Sequence, residues 1–268
     1  MKKRRLIPVL ILKDGFLVQS RKFQRFQNLG NPYTSVKRLS QWGSDELVYL
    51  DITRNDKYDL KRTDLNTKNL NNFLEIIEEV SKIVFMPIAV GGKIKSLNDI
   101  NLRLSRGADK VIINSEFYRN QKFAQECSRE FGSQCIVAAI DVKKDNNKYN
   151  FYIENGNVKI NEPLQDWVKF LDESGVGEFF INSIDRDGTG EGYDYQLYDY
   201  IKKNTNKPII FCGGAGKIDH IIDFAKERDA DAVAAANIFQ HFDQSIFITK
   251  KKLYKTSLNF RQPNLFNL

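Results

Sequence analysis

The chain has 268 residues, of which 41% are hydrophobic, and it carries a formal net charge of +7. The hydrophobic fraction is sufficient for a sizeable core and no stretch reaches the length of a membrane span, so we expect one domain over residues 1–268 and no membrane partner. The basic residues are dispersed, which argues against a nucleic-acid surface and fits an anionic small-molecule ligand better.

The first predicted element is a strand over residues 6–12, directly after the basic segment 1–5. This start imitates a signal peptide, but the apolar run is short, ends at Lys13 and has no small-residue cleavage site, so a strand is the better interpretation. The cysteines are odd in number and lack CxxC spacing. They predict free thiols in a reducing cytoplasm, at Cys127, Cys135 and Cys212.

Further along the chain, apolar strands alternate with amphipathic helices, such as residues 69–82 and 164–174, which is typical of a parallel sheet covered by helices. The polar stretch 54–72 predicts a long loop at the carboxyl end of its strand. Residues 148–160, centred on Asn155 and Gly156, predict a β-hairpin rather than a site. The charge run 250–252 predicts a solvated face of the last helix.

The chain also contains an internal repeat. Residues 87–92 and 208–214 each encode a buried strand that ends in two glycines, followed by a helix and a second buried strand. The similarity extends to residues 6–14 with 136–144, and to 46–51 with 178–183. We therefore expect a (βα)8 TIM barrel made of two (βα)4 halves, at about 1–130 and 131–250, followed by a short tail.

The duplicated glycine turns predict where a ligand binds. A strand that ends in glycines lets backbone N–H groups approach an anion, and the next helix points its positive end there. Two such turns suggest a substrate with a phosphate at each end, although each residue could also be an ordinary turn residue. The candidate phosphate-binding residues are Gly92, Asn114, Ser115, Gly188, Gly214 and Asn237.

Several segments together resemble the cyclase subunit of imidazole glycerol phosphate synthase. They are residues 4–8, 13–15, 45–52, 107–111, 131–134, 182–189 and 213–217, and the similarity covers the chain to about residue 250. The resemblance implies a (βα)8 barrel that receives ammonia from a glutaminase subunit docked on its N-terminal face. It also implies ring closure on a two-phosphate ribulosyl aminoimidazole carboxamide, with two strand-end aspartates as acid and base.

Only one of those aspartates is present, at Asp141, and the other position is Ile11. Isoleucine cannot transfer a proton, so ring closure by the family mechanism should be severely impaired. Asp141 could alternatively cap a neighbouring loop. Further departures from the family on the same face are Lys93 in place of a glycine, Gln19 in place of a lysine, and Cys212 and Asn237 in place of serines.

The opposite face retains the charged residues that the resemblance assigns to an ammonia gate, namely Arg5, Glu46, Lys110 and Glu178. The alternative is a buried ionic plug whose members only satisfy one another. No metal or cofactor is expected, because His220 and His241 belong to no metal-ligand pattern.

The combination of a retained charged face and an altered catalytic face resembles a divergent branch of the family. That branch acts with a glutaminase-like protein and a separate sugar amidotransferase in the synthesis of acetamidino sugars for surface glycans. We favour that interpretation. Two alternatives remain: the histidine-pathway cyclase itself and a non-catalytic scaffold that only conducts ammonia.

Overall fold

The structure is a computed structural model that describes residues 3–54, 58 and 70–266. Eight parallel strands close into a barrel in the order β1, β4, β5, β6, β7, β10, β11, β12, and β12 pairs back with β1. The (βα)8 barrel expected from the sequence is therefore confirmed. The strands of the described chain are β1 (Arg5–Lys13), β2 (Phe16–Arg21), β3 (Arg25–Gly30), β4 (Leu47–Asp51), β5 (Ile88–Gly91), β6 (Lys110–Ile113), β7 (Ile136–Asp145), β8 (Lys148–Ile153), β9 (Val158–Lys159), β10 (Glu178–Ser183), β11 (Ile209–Cys212) and β12 (Ala232–Ala235).

Helices surround the barrel, and the two expected at 69–82 and 164–174 are α2 and α6. The Asn72 side chain caps α2 by accepting a hydrogen bond from the amide of Glu75, which explains the start at Phe73. No helix in the described ranges has the length and apolar character of a membrane span. The helices are α1 (Pro32–Gln41), α2 (Phe73–Ser81), α3 (Leu97–Leu104), α4 (Ser115–Arg119), α5 (Gln121–Phe131), α6 (Leu164–Glu173), α7 (Tyr195–Lys202), α8 (Ile218–Glu227) and α9 (Ser245–Tyr254), with short 3₁₀ turns at Ser133–Cys135 and Asn237–Gln240.

Each half of the barrel begins with a long strand that continues into antiparallel strands above the barrel. In the first half β2 and β3 follow β1, and in the second half β8 and β9 follow β7. The hairpin expected within residues 148–160 is confirmed as β8 and β9. The hairpin of β2 and β3 is not predicted by the repeat, which ends at residue 14.

The barrel interior is apolar. Side chains of a strand alternate between its two faces, so Ile7, Val9 and Ile11 point inward while Leu6, Leu10 and Leu12 pack against the helices. The inward cluster includes Val48, Ile112, Val137, Ala139 and Phe180 from the other strands. An apolar interior thus separates the two ends of the barrel.

Lys250 does not lie on a solvated face, so that prediction is wrong for this residue. It is 3% exposed, and its ammonium donates to the carbonyl of Gly43 at 2.7 Å and to the Asp45 carboxylate at 2.9 Å. Asp45 also accepts from the amide of Leu6 at the start of β1. The buried Lys250–Asp45 pair therefore links α9 to β1. Lys251 and Lys252, in contrast, are exposed.

Most of the expected long loop at 54–72 lies outside the described residues. Of its described residues, Tyr58 donates its hydroxyl to the Asp51 carboxylate at 3.1 Å, at the carboxyl end of β4.

Candidate active site at the barrel mouth

Three adjoining cavities occupy the mouth, the end of the barrel where the strands terminate. The first cavity has about 220 Å³ and is lined by Gly92, Asn114 and Ser115. The second has about 140 Å³ and is lined by Gly188, Gly214 and Asn237. A central cavity of about 60 Å³ shares lining residues with both. The six candidate phosphate residues are thus divided between two cavities, three in each.

Each of the two glycine turns contains a position whose backbone requires glycine. Gly92 has a φ of +111° and Gly214 a φ of +106°, a region that glycine tolerates and residues with a Cβ avoid. A Cβ at Gly92 would also collide with the backbone carbonyl of Asp51, and one at Gly214 with that of Gly192. These turns therefore need glycine for packing, independently of any ligand.

The polar side chains of both outer cavities already bind neighbouring segments. Asn114 donates to the Asp141 carboxylate at 2.7 Å, and the Ser115 hydroxyl accepts from the amide of Glu154 at 3.0 Å. Asn237 donates to the carbonyl of Ser20 at 3.0 Å. Asn114 consequently links the first cavity to the carboxylate of the central one.

Asp141 lies at the end of β7, where it lines both the first and the central cavity. Loss of hydration raises its pKa to about 7; the hydrogen bond from Asn114 opposes that rise, and the charge of Asp187 adds to it. A carboxyl group with this pKa can both donate and accept a proton near neutral pH. This position and pKa are compatible with a role in proton transfer.

Ile11 occupies in the first half the position that Asp141 occupies in the second. It pairs with β4 as Asp141 pairs with β10, points into the barrel and is 8% exposed. It lines the central cavity together with Asp141. The side of the mouth where the family's second aspartate belongs is therefore apolar.

A second carboxylate that the sequence analysis did not single out, that of Asp187, also lines the central cavity. It accepts a hydrogen bond from the Ser20 hydroxyl at 2.6 Å and from the amide of Phe23 at 3.3 Å. Burial raises its pKa, and these hydrogen bonds oppose the rise. The sequence did contain one indication of its role: Asp187 directly precedes the candidate residue Gly188, in a segment that follows a buried strand.

Both hairpins lie over the mouth. Phe23 and Phe26 of the first hairpin line the central cavity. Glu154 and Asn155, at the turn between β8 and β9, line the first cavity, so this hairpin contributes to the wall of the mouth. Glu154 also forms an ion pair with Arg119, which ties the turn to α4.

The remaining departures from the family pattern line the same cavities. Lys93 lines the first, Gln19 lines the second, and Cys212 lines the second and the central one. His241 also lines the second cavity. Burial raises the pKa of the Cys212 thiol well above its usual value, which disfavours a nucleophilic thiolate. No group of three or more potential metal ligands occurs in the described ranges.

At the opposite end, the four expected gate residues form a closed charge ring. Arg5 donates to both Glu46 and Glu178, and the Lys110 ammonium lies 2.9 Å from each of these carboxylates. Burial alone would raise the pKa of Glu178, but the hydrogen bonds and charges of Arg5 and Lys110 outweigh it and lower the pKa. The ring geometry is compatible with a gate and with an ionic plug.

Comparison with known proteins gives a consistent result. The model of the family described as "Histidine biosynthesis protein" matches residues 5–245. A protein of Bacillus cereus named imidazole glycerol phosphate synthase subunit HisF is 36% identical over 97% of this chain and 100% of its own length. Proteins of the same name from Streptococcus mutans and Natranaerobius thermophilus are 34% and 38% identical, covering 97% and 91% of this chain and 100% and 92% of their own lengths.

Proposed function

The chain belongs to the histidine biosynthesis protein family, and on that premise we propose that it is the HisF-like barrel subunit of a glutamine amidotransferase. Ammonia from a glutaminase subunit enters through the charge ring, crosses the apolar interior and reacts at the mouth with a substrate that has an anionic group at each end. The observation that carries this proposal is the arrangement of one barrel: a charge ring at one end, and an ionisable carboxylate between two glycine turns at the other.

Each part of the barrel has a chemical task in this proposal. The glycine turns hold the two anionic ends of the substrate through backbone N–H groups. Asp141 gives or takes the proton that nitrogen transfer requires, because its pKa of about 7 keeps both protonation states populated. The apolar interior suits neutral ammonia and excludes ammonium, which would lose its hydration there.

Ile11 favours an acceptor other than the histidine-pathway substrate. The resemblance implies that ring closure uses a carboxylate at the position of Ile11 as well as at Asp141, and here Ile11 offers only a hydrocarbon side chain. Acetamidino-sugar synthesis, with a separate sugar amidotransferase as a further partner, is the form of nitrogen transfer that the resemblance suggests. The second candidate is the histidine-pathway cyclase, which is the function named in the relatives.

Supplying the purified barrel with an ammonium salt and the histidine-pathway substrate separates these candidates. We expect turnover to imidazole glycerol phosphate to be absent or slow in the natural protein. Ile11→Asp should increase any trace activity, because it restores a carboxylate opposite Asp141. Rapid turnover by the natural protein would assign it to the histidine pathway and refute the divergent function.

A second experiment tests whether the barrel is catalytic or only conducts ammonia. The natural protein and Asp141→Asn are each assembled with the glutaminase and the sugar-modifying enzyme, and aminated product is measured with glutamine as the nitrogen source. A catalytic barrel loses product formation in the variant. Unchanged product formation would support the scaffold and remove the chemical role of Asp141.

A further inference from the structure

Lys93 is the residue in which the two glycine turns differ most. It lies two residues after the end of β5 with a φ of +54°, whereas Gly214, with a φ of +106°, holds the corresponding place after β11. Residues with a Cβ are disfavoured in this left-handed region, and such residues concentrate at functional sites. The buried Arg103 guanidinium helps to hold the turn, because it donates to the carbonyls of Gly92 at 2.7 Å and Asp99 at 2.8 Å.

The first cavity contains more charged side chains than the second. Four carboxylates are found among its described lining residues: Asp51, Glu116, Asp141 and Glu154. Its basic residues are Lys93, Lys95 and Arg119, and Arg119 is engaged with Glu154. The second cavity includes one carboxylate, that of Asp187, and no lysine or arginine among its described lining residues. The two cavities therefore have similar net charge, but only in the first does an anion find lysine or arginine side chains among the described lining residues.

Lys93 is the basic residue that belongs to the glycine turn itself. It directly follows the glycine that forms the floor of the turn, and its ammonium acts on the buried Asp51 carboxylate, where it opposes the rise in pKa that burial causes. The Lys93 side chain is exposed within the mouth, where a ligand can reach it. A glycine in its place would relax the backbone and remove this cation.

We propose that the Lys93 ammonium binds the substrate's anionic group in the first cavity. The proposal rests on the proposed function, since it concerns one of the two anionic ends of that substrate. A charged donor forms hydrogen bonds about twice as strong as those of a neutral one. The first cavity therefore depends on a side chain, whereas the second relies on its backbone turn.

Titration of isotope-labelled protein with inorganic phosphate, followed by NMR, resolves the two cavities. The amides of Gly92 and Ser115 report on the first cavity, and those of Gly214 and Asn237 on the second. Lys93→Gly should weaken phosphate binding in the first cavity by about tenfold or more, the effect of one lost hydrogen bond to a charged group. Binding in the second cavity should be unchanged, and Lys93→Arg should retain most of the affinity.

Two measurements separate a direct contact of Lys93 with phosphate from a change in overall charge or in stability. Lys22→Gly is the matched control, since Lys22 also has a left-handed φ of +52° and carries the same charge, but lies at the hairpin turn between β2 and β3. It should leave the first cavity's affinity unchanged. Without phosphate, Lys93→Gly should melt at the natural protein's temperature or roughly 2–4 °C above it, because glycine relieves the strained backbone.

The proposal is overturned if Lys93→Gly keeps full phosphate affinity in the first cavity, or if Lys22→Gly lowers that affinity equally. Phosphate that shifts the Gly214 amide of the natural protein but not the Gly92 amide would overturn this proposal alone. Phosphate that shifts neither amide would also remove the two-anion substrate of the proposed function.

Discussion

Replacing Asp141 with asparagine should change how stability depends on pH. The pKa of Asp141 is about 7 in the folded protein, against an ordinary value of 3.8, which we take for the unfolded chain. Between these values the folded state binds more protons than the unfolded state, so stability due to this group falls as pH rises and levels off above pH 7. Asn114 can still hydrogen-bond to the amide oxygen of an asparagine, so the two side chains differ mainly in ionisation.

The magnitude follows from the size of the shift. From pH 5.5 to the folded pKa is about 1.5 units, and each unit corresponds to about 1.4 kcal/mol, so ionisation of Asp141 should cost about 2 kcal/mol over this interval. The natural protein should therefore lose about 2 kcal/mol relative to Asp141→Asn between pH 5.5 and 8. Urea denaturation of both proteins at the two pH values measures this difference.

Asp145→Asn, on the same strand, is the control for this measurement. The hydrogen bond from Tyr152 lowers the pKa of Asp145 despite some loss of hydration, so the group is ionised in both folded and unfolded protein throughout pH 5.5–8. Its replacement should give the same stability difference at both pH values. If Asp141→Asn behaved in the same way, the Asp141 carboxyl would not be perturbed and our assignment of its acid–base role would lose its basis.

Three further predictions follow. Glu178→Gln should lower the free energy of unfolding by about 3–5 kcal/mol in denaturation experiments. The reason is that the largely buried Arg5 and Lys110 then share only the Glu46 carboxylate. A change below about 1 kcal/mol would refute the buried ring. In the complex with glutaminase, the same variant should reduce glutamine-dependent turnover more than ammonium-dependent turnover if the ring is a gate, whereas an ionic plug predicts equal effects. Gly188→Ala should displace the first hairpin, since a Cβ there collides with the carbonyl of Ser20, and limited proteolysis should then cleave residues 16–30 faster than in the natural protein.

The sequence predicts the barrel and most of its mouth because these depend on local patterns that occur twice. Equal spacing after the two glycine turns indicates equivalent units, and parallel strands place the ends of those units on one face. The first hairpin lacks such a pattern, since residues 25–28 are largely exposed and do not alternate as a buried strand does.

Burial of charged groups was predicted least well because it depends on partners that are distant in the chain. Lys250 is buried only because α9 brings it to Asp45, which lies 205 residues earlier. Asp187 reaches the central cavity beside Ser20 of the first hairpin, 167 residues away. Neither contact leaves a periodic signal in the sequence. Lys250 could therefore be interpreted only as part of a charge run, and Asp187 only as part of a turn motif.

The two ends of the barrel differ in how independently their residues can change. In the charge ring each carboxylate contacts both bases, so the loss of any one member leaves a largely buried charge without its full set of partners. Ile11, in contrast, packs in an apolar cluster with Val9 and Val18, where a hydrocarbon side chain is compatible with stable packing. A mutation from aspartate at this position would thus alter the chemistry without destabilising the barrel. A subunit that keeps its ammonia supply while its acceptor changes is therefore expected to retain the charge ring and to tolerate an apolar residue at position 11, at the other end of the barrel.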